Sequence, residues 1–325
     1  MRRGSDEHHD TMLRVAELYY EQQLTQEQIG QRLVLTRWKV GRLLVEARET
    51  GMVRIEIVHP RARRHREEAR LVEAFGLDDA VVVPVQSDDV LRDPTQLRRQ
   101  VARSAAAFLC DLTPRPQVLG VSWGRTLDDL AQAVPPGWTT GVEVVQVNGA
   151  VTRSRRVSSG VDVATELARQ GRGTVSLLPA PAIVERATTR KALESDPAIR
   201  GVLDAARSAD VLVFSLGALS SDSVLVEAGY LTRGDVDRLR ASGAVGDVLG
   251  RFVDADGVEV DLALRDRTVG ISLDDIRRAG TVVAVASGPE KAGVARAAVA
   301  TGLCSVLVTD SEVAGILLAD TERAS

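Results

Sequence analysis

The first sixty residues place apolar side chains with helical spacing in three consecutive segments, which begin near residues 11, 25 and 36. Thr25 stands three residues before Gln28, the spacing of a capping box, so we expect a helix to begin there. Thr36 is placed to cap the next helix, and Gly51 is placed to end it. Because only about three residues separate the second and third helices, the segment predicts a helix-turn-helix.

The third predicted helix carries basic side chains in its first turns, away from the stripe formed by Val40 and Leu44. In a helix-turn-helix, this part of the helix enters the major groove, where Arg and Lys can reach phosphates or guanine edges. The alternative is a solvated basic face on a small helical bundle. The candidate DNA-binding residues are Thr25, Gln26, Thr36, Arg37, Trp38, Lys39 and Arg42.

A short strand is predicted next, because Val53, Ile55 and Ile57 alternate with Arg54 and Glu56. It would be either a wing beside the DNA or a bridge to the rest of the chain. A charged helix follows and leads to residue 77. The arginines that precede its apolar positions are Arg61, Arg63, Arg64 and Arg66. These arginines either touch the DNA phosphate backbone or belong to a solvated linker.

From about residue 78 onward, short β-branched runs alternate with helical stretches. The runs are apolar on both faces, as in a parallel sheet that helices cover on both sides. The pattern therefore predicts a doubly wound, mostly parallel α/β domain. The predicted strands are "DAVVVPV", "QVLGVSW", "VEVVQVNGA", "TVSLLPAPAIV", "VLVFSLGAL", "TVVAVASG" and "CSVLVTD".

Three glycine-containing loops follow predicted strands, and ligands of such sheets bind at the carboxyl ends of the strands. Glycine lets backbone N–H groups approach an anion, and a helix N-terminus adds a favourable dipole. The alternative for each loop is a strand-to-helix turn without a ligand. We expect the three loops to form one anion pocket. Their candidate residues are Ser122, Gly124, Arg125 and Thr126 in the first loop, Asn148 and Gly149 in the second, and Lys291 in the third.

Two charged residues are candidates for contacts with a sugar. Lys291 is one of three lysines in a chain that otherwise uses arginine, and its compact ammonium can bind a phosphate or a sugar hydroxyl. Asp247 lies in a glycine-containing segment and would repel phosphate, but its carboxylate can accept hydrogen bonds from sugar hydroxyls.

Charge and cysteine content add two expectations. The chain has 325 residues and a net charge of −4, which divides into +4 over residues 1–66 and −8 over the remainder. This asymmetry fits a nucleic-acid-binding module on an acidic body, or ordinary scatter. Cys110 and Cys304 lie in apolar runs, so we expect buried thiols and a reducing, cytoplasmic location. Neither a secretory signal nor a membrane span is expected.

The distribution of histidines weighs against catalysis. His8, His9, His59 and His65 all precede the predicted sheet, and no paired carboxylates or Cys/His arrangement accompany the glycine loops. We therefore expect no enzyme, no catalytic residues, no metal site and no cofactor. The alternative is an isomerase or hydrolase of sugar phosphates with an appended DNA-binding domain, since a carboxylate could also serve as the base.

The order of motifs resembles the SorC-type family of sugar-responsive bacterial transcriptional regulators over nearly the whole chain. The DNA-binding module of that family resembles "YYEQQLTQEQIGQRLVLTRWKVGRLLVEARETGMVRIEIVHP". Its effector domain resembles "GVSWGRTL", "VVQVNGA", "LPAPAIV", "ADVLVFSLGAL", "GAVGDVLGRFVDADG" and the segment from "RTVGISL" to "EVAGILL".

The resemblance implies a helix-turn-helix domain over residues 1–58, a linker helix over 59–77 and an effector domain over 78–325 that is similar to sugar-phosphate isomerase folds. It implies that Gly124, Arg125 and Thr126 hold an effector phosphate. Asn148 and Gly149 match a second contacting loop, and Asp247 and Lys291 match positions that reach the sugar. It also implies a homo-oligomer, a dimer or tetramer, in which a phosphorylated sugar or polyol controls operator affinity.

Two segments depart from that pattern. The turn of the helix-turn-helix has Val34 where a glycine is usual, so Val34 must adopt a conformation that glycine takes more readily. Residues 151–156 are unusually basic, which favours either a more anionic effector or a solvated segment.

Overall fold

The structure is a computed structural model that describes residues 3–20, 22, 24–53, 63–85, 93–151 and 160–324. The chain divides into two compact units, Met1–His59 and Pro60–Ser325. The strand predicted from Ile55 and Ile57, the residue Arg61 and the basic segment 152–156 lie outside the described residues.

The first unit contains α1 (Arg3–Tyr20), α2 (Gln26–Leu33) and α3 (Arg37–Glu49). The predicted capping box is confirmed, because Thr25 Oγ1 accepts from the Gln28 amide and Gln28 Oε1 accepts from the Thr25 amide. Thr36 caps α3 by accepting from the Lys39 amide at 3.2 Å. The helices share one apolar core that includes Met12, Val15, Leu18, Ile29, Val40, Leu43, Leu44 and Ala47.

Val34 forms the turn between α2 and α3 in the left-handed region, with φ 56° and ψ 44°. This confirms the conformation that the sequence required of it. The conformation is costly for a β-branched residue. Its side chain is 93% exposed, so packing within the unit offsets little of this conformational energy cost.

The second unit alternates strands and helices after α4 (His65–Phe75). Its strands are β1 (Asp79–Val83), β2 (Val118–Val121), β3 (Glu143–Gln146), β4 (Thr174–Ser176), β5 (Val211–Ala218), β6 (Gly246–Val248), β7 (Arg251–Val253), β8 (Thr281–Val285) and β9 (Val306–Asp310). Its other helices are α5 (Pro94–Asp111), α6 (Arg125–Ala133), α7 (Gly160–Gln170), α8 (Ala187–Ser195), α9 (Pro197–Arg207), α10 (Val224–Glu227), α11 (Arg233–Ala241), α12 (Leu262–Arg265), α13 (Leu273–Arg278), α14 (Ala292–Ala300) and α15 (Ser311–Ala324), with a 3-10 helix at Pro289–Lys291.

The main sheet is parallel, with strand order β1-β9-β8-β5-β2-β3-β4. Each of its strands lies in one of the predicted runs, which confirms the doubly wound α/β fold. β5 alternates between two apolar cores, with Leu212 and Phe214 in one and Val211 and Val213 in the other. Helices therefore cover the sheet on both faces, and the strand order reverses between β2 and β5.

The segment 243–257 contains a hairpin that the sequence did not predict. β6 and β7 are antiparallel, and β6 continues the sheet from β5 beyond its parallel part. Leu249 and Gly250, both with positive φ, form the two-residue turn. The strands have only three residues each, which is too short for an alternating pattern to be recognised.

One linker arginine is fixed to the second unit. Arg63 donates to the buried Glu68 carboxylate at 2.8 Å and to the Ala80 carbonyl at 2.9 Å. Glu68 also accepts from the Val82 amide, so Arg63 is part of the attachment of α4 to β1. Arg63 is therefore not a solvated linker residue, whereas Arg64 and Arg66 are exposed. The phosphate contact stays a prediction.

Both cysteines are free thiols. Cys304 is buried and Cys110 is half-buried. Burial raises the pKa of Cys304 to about 12 and also raises the pKa of Cys110, so both thiols are poor nucleophiles at neutral pH. Of the helices in the described ranges, none is long and apolar enough to cross a membrane.

Candidate functional site

A cavity of about 280 Å³ lies at the carboxyl ends of the parallel strands. It spans the point between β2 and β5 where the strand order reverses, which is where ligands of doubly wound sheets bind. Its volume is near the lower end of roughly 300–1,000 Å³ for ligand pockets, so it suits a small ligand. Its walls come from the segments that follow β2, β3 and β8, and from the end of β5 with the segment after it. The start of α5, strand β6 and the turn between β6 and β7 complete the walls.

The segment after β2 brings a helix N-terminus to the cavity. Ser122 and Thr126 are buried there, and α6 begins at Arg125. Gly124 precedes α6, and no side chain in the described ranges caps this helix. The first-turn N–H groups of α6 have no partner within the helix, so they remain available to an anion.

Arg125 lies at the edge of the cavity and is already paired. Its guanidinium donates to the carboxylate of Glu227 and, at 3.3 Å, to the carbonyl of Asp222. Arg125 remains partly exposed. A ligand anion at the α6 N-terminus would meet this guanidinium.

Of the two residues predicted in the second loop, Asn148 lines the cavity and Gly149 does not. Asn148 lines the cavity, and its buried Oδ1 has no hydrogen-bond partner among the described residues, which leaves an acceptor for a ligand hydroxyl or a water. Gly149 is not part of the cavity wall. Its carbonyl accepts from Trp123 Nε1 at 2.8 Å, and a Cβ there would lie 2.2 Å from the Pro181 carbonyl oxygen. Close packing therefore accounts for glycine at this position.

Asp247 is a buried carboxylate in the cavity wall. Its Oδ2 accepts from the Gly250 amide at 2.8 Å. Gly217 makes room for it, since a Cβ there would lie 1.9 Å from Asp247 Oδ1. Burial raises the pKa of Asp247 to about 6, and the Gly250 hydrogen bond and the charge of Lys291 oppose this rise.

Lys291 ends the 3-10 helix after β8 and lines the same cavity. Burial lowers its pKa, and the charges of Arg98 and Arg125 act in the same direction. Glu290 and Asp247 oppose that lowering. Arg98, Arg125 and Lys291 all line the cavity, as does Glu290. Arg98 is paired with Asp129 at 2.7 Å.

In the first unit, the candidate DNA-binding residues lie on the first turns of α2 and α3. The Trp38 side chain is 88% exposed. Arg37, Lys39 and Arg42 are also exposed, whereas Gln26 is half-buried and packs near Gly41. Thr25 and Thr36 are exposed, but their hydroxyls act as helix caps. The face that a helix-turn-helix presents to the major groove is thus basic, with one large aromatic side chain.

Comparison with known proteins identifies the family. Residues 60–319 match the family described as "Putative sugar-binding domain". The chain is 32% identical over 315 residues to transcriptional regulator LsrR of Enterobacter sp. (strain 638), covering 95% of this chain and 93% of that protein. It is 29% identical over 308 residues to the deoxyribonucleoside regulator of Bacillus subtilis (strain 168), covering 95% and 97%. The full-length sorbitol operon regulator SorC from Klebsiella pneumoniae has a TM-score of 0.69 at 25% identity, covering 96% of this chain and 99% of that one.

The chain belongs to the SorC-type family of sugar-binding transcriptional regulators. The regulator therefore combines a helix-turn-helix with a doubly wound sugar-binding domain, as the order of its motifs indicated.

Two residues near the pocket of the regulator were not found from the sequence. Arg98 lies on α5, which follows no predicted glycine loop, so nothing in the sequence placed it at the cavity. Asp310 ends β9 and is fully buried, and its carboxylate accepts from the Gly288, Glu312 and Val313 amides at 2.8–3.0 Å. Its position directly after a predicted strand was an available signal. Asp310 fixes the loop that carries Lys291.

The described residues of the regulator contain no cluster of side chains suited to a metal ion. Within residues 3–20, 24–53, 63–85, 93–151 and 160–324, no group of three or more His, Cys, Asp or Glu side chains could hold one.

The raised pKa of Asp247 predicts how stability depends on pH. A carboxyl whose pKa is higher in the folded than in the unfolded state stabilises the fold while protonated, and this contribution is lost as pH rises through about 6. We expect Asp247→Asn to match the wild type near pH 4. We expect it to be more stable by on the order of 3 kcal/mol at pH 7.5, since the pKa rises from 3.8 to about 6 and each pKa unit corresponds to about 1.4 kcal/mol.

Thermal melting between pH 4 and 8 measures this difference. Asp256→Asn, at an exposed position in the turn after β7, is the matched control and should follow the wild-type profile. Parallel profiles for wild type and Asp247→Asn would show that the Asp247 carboxyl has an ordinary pKa.

Proposed function

We propose that the cavity binds a phosphorylated sugar or polyol and that its occupancy changes the affinity of residues 1–58 for operator DNA. Residues 59–77 would act as the linker and residues 78–325 as the effector domain. The observation that carries the proposal is the meeting of Arg98, Arg125 and Lys291 with the uncapped N-terminus of α6 in one small cavity. Helix N-termini and guanidinium groups are the groups that proteins use to bind phosphate.

The rest of the cavity suits the hydroxyl groups of a sugar. Asp247 and Asn148 supply buried oxygen acceptors, and Lys291 supplies a donor in the same cavity. The B. subtilis relative is named for deoxyribonucleosides and the K. pneumoniae relative for sorbitol, and both compounds carry more than one hydroxyl group. These names support a small polyhydroxylated effector, and the cationic groups favour its phosphate ester.

The first unit would bind DNA through the start of α3. Arg37, Lys39 and Arg42 can reach phosphates or guanine, and Trp38 offers an apolar surface to a thymine methyl group. Helix-turn-helix proteins bind two half-sites as dimers, so the regulator would act as a homo-oligomer, a dimer or tetramer. Effector and operator would then each favour one arrangement of that oligomer.

An enzyme is the second candidate function, because Asp247 combines a pKa of about 6 with a basic neighbour, Lys291, in the wall of a cavity. Such carboxyls serve as general acids and bases. We favour binding without turnover, since the relatives are named as transcriptional regulators. Turnover of a sugar phosphate that disappears in Asp247→Asn would support the enzyme instead.

Removing the guanidinium of Arg125 tests the effector site. A thermal-shift screen of sugar phosphates and polyol phosphates identifies the ligand, because binding to the folded state raises its melting temperature. We expect Arg125→Gln to weaken the binding of that ligand by at least tenfold, since hydrogen bonds to charged groups contribute about 1.5–3 kcal/mol.

Arg169→Gln is the matched control for that experiment, because Arg169 lies exposed on α7 and pairs with Glu166. Its ligand affinity should equal that of the wild type. Unchanged affinity in a folded Arg125→Gln variant would exclude Arg125 as the phosphate ligand.

Salt dependence tests the DNA-binding face. An operator is first selected from random duplexes with the full-length regulator. We expect Arg37→Ala and Lys39→Ala each to weaken binding and, for a phosphate contact, to reduce the slope of log K against log salt by about 1. Trp38→Ala should reduce the preference for the operator over random DNA without changing the slope.

Lys191→Ala is the matched control, since Lys191 is exposed on α8 of the second unit. Fluorescence anisotropy at several salt concentrations gives both the affinity and the slope. If Arg37→Ala and Lys39→Ala bind like Lys191→Ala, the start of α3 is not the DNA-binding surface.

A further inference from the structure

Glu227 forms an ion pair with the guanidinium of Arg125, the group proposed above to bind the effector phosphate. Arg125 donates from Nη2 to the Glu227 carboxylate and to the Asp222 carbonyl. Carboxylate and phosphate oxygens both match the planar fork of a guanidinium. A bound anion at the α6 N-terminus that takes Arg125 Nη2 would therefore compete with the carboxylate of Glu227 for that donor.

The pair of Arg125 and Glu227 is weak enough to be displaced. Both side chains are partly exposed, 39% and 30%, and ion pairs in contact with water contribute little to stability. An anion in the cavity would gain the amides of α6 and the charge of Lys291, together with that of Arg98, which is also paired with Asp129. The balance therefore favours the anion once it is present at sufficient concentration.

Glu227 ends α10, two residues after the last cavity-lining residue of that helix. The lining residues in and before α10 are Ser220, Asp222, Ser223, Val224 and Leu225. Leu225 is buried in a small apolar cluster with Trp123 and Phe252 that is separate from both cores of the main sheet. The wall can therefore adjust when Arg125 changes partner, while the sheet stays intact.

We propose that Glu227 is an internal competitor for the effector anion: it occupies Arg125 in the empty site and is released when the anion binds. Glu227 thereby sets the effector concentration at which the site fills. Its release also makes the wall formed by α10 differ between the empty and the occupied site. This inference rests on the proposed anion site at Arg125.

The test measures the binding of inorganic phosphate to the full-length regulator, at constant ionic strength maintained with chloride. Thermal-shift titrations compare the wild type with Glu227→Gln, Glu227→Asp and Arg125→Gln. We expect Glu227→Gln to bind phosphate about fivefold more tightly, the equivalent of roughly 1 kcal/mol for a partly exposed ion pair. Glu227→Asp keeps the charge but is one methylene shorter, so it should bind more tightly as well.

Two comparisons isolate the contact itself. Glu166→Gln removes an equivalent charge from an ion pair with Arg169 on α7 and should change the affinity less than twofold. In the Arg125→Gln background, Glu227→Gln should also change the affinity less than twofold, because the shared guanidinium is gone. Additive effects of the two substitutions would overturn the proposal.

The outcomes separate this inference from the function on which it rests. If Arg125→Gln weakens phosphate binding but Glu227→Gln does not tighten it, Glu227 is not a competitor and the anion site stands. If only Glu227→Gln tightens binding and Glu227→Asp does not, the effect is one of overall charge, which also overturns the competitor. If phosphate binds none of the variants, or binds wild type and Arg125→Gln equally, both the anion site and the competitor are wrong.

Discussion

The strand order of the sheet reverses between β2 and β5, and the remaining features of the pocket depend on this reversal. Strands on either side of such a point send their connections to opposite faces, so a crevice opens where the two sets of connections part. All strands of the main sheet run parallel, so the segments after β2, β3, β5 and β8 end at this one edge. Residues more than 160 positions apart in the sequence, such as Arg125 and Lys291, therefore line one cavity.

Three basic side chains, those of Arg98, Arg125 and Lys291, line this cavity. Burial is the main cause of the lowered pKa of Lys291, and the charges of Arg98 and Arg125 lower it further, so the three groups act on one another unfavourably. The carboxylate of Asp247 compensates part of this charge from inside the wall, and that of Glu227 does so from the edge. A phosphate would relieve the remaining repulsion, while the buried oxygens of Asp247 and Asn148 stay available to hydroxyl groups. In the proposed function, the same arrangement would provide affinity for the anion and recognition of a polyhydroxylated carbon chain.

Local sequence patterns predicted the elements that are formed by local interactions. Thr25 with Gln28 and Thr36 marked the starts of α2 and α3, because a cap is made within one helical turn. The apolar runs marked the strands of the main sheet, and the polar residues after them located most of the pocket. Gly149 followed the same pattern, yet its contact with Pro181 explains it by packing alone.

What the sequence did not show depends on contacts between distant segments. Arg98 reaches the cavity from α5, Glu227 reaches Arg125 from a one-turn helix, and β6 pairs with β7 over only three residues. None of these has a periodicity or a spacing from which it could be inferred. Val34 was partly predictable. The sequence showed that a valine occupies a turn position where glycine is usual, but only the structure gives its φ of 56°.

If effector binding in the cavity is coupled to operator binding, each ligand must change the affinity for the other by the same factor. Measuring both changes is the most direct test of this coupling. Operator affinity is measured with and without a saturating sugar phosphate found by the thermal-shift screen, and sugar-phosphate affinity is measured with and without operator. The account predicts that both affinities change by the same factor, within the range of about 5–150 that is typical of coupled sites. A sugar phosphate that binds the cavity and leaves operator affinity unchanged would contradict it.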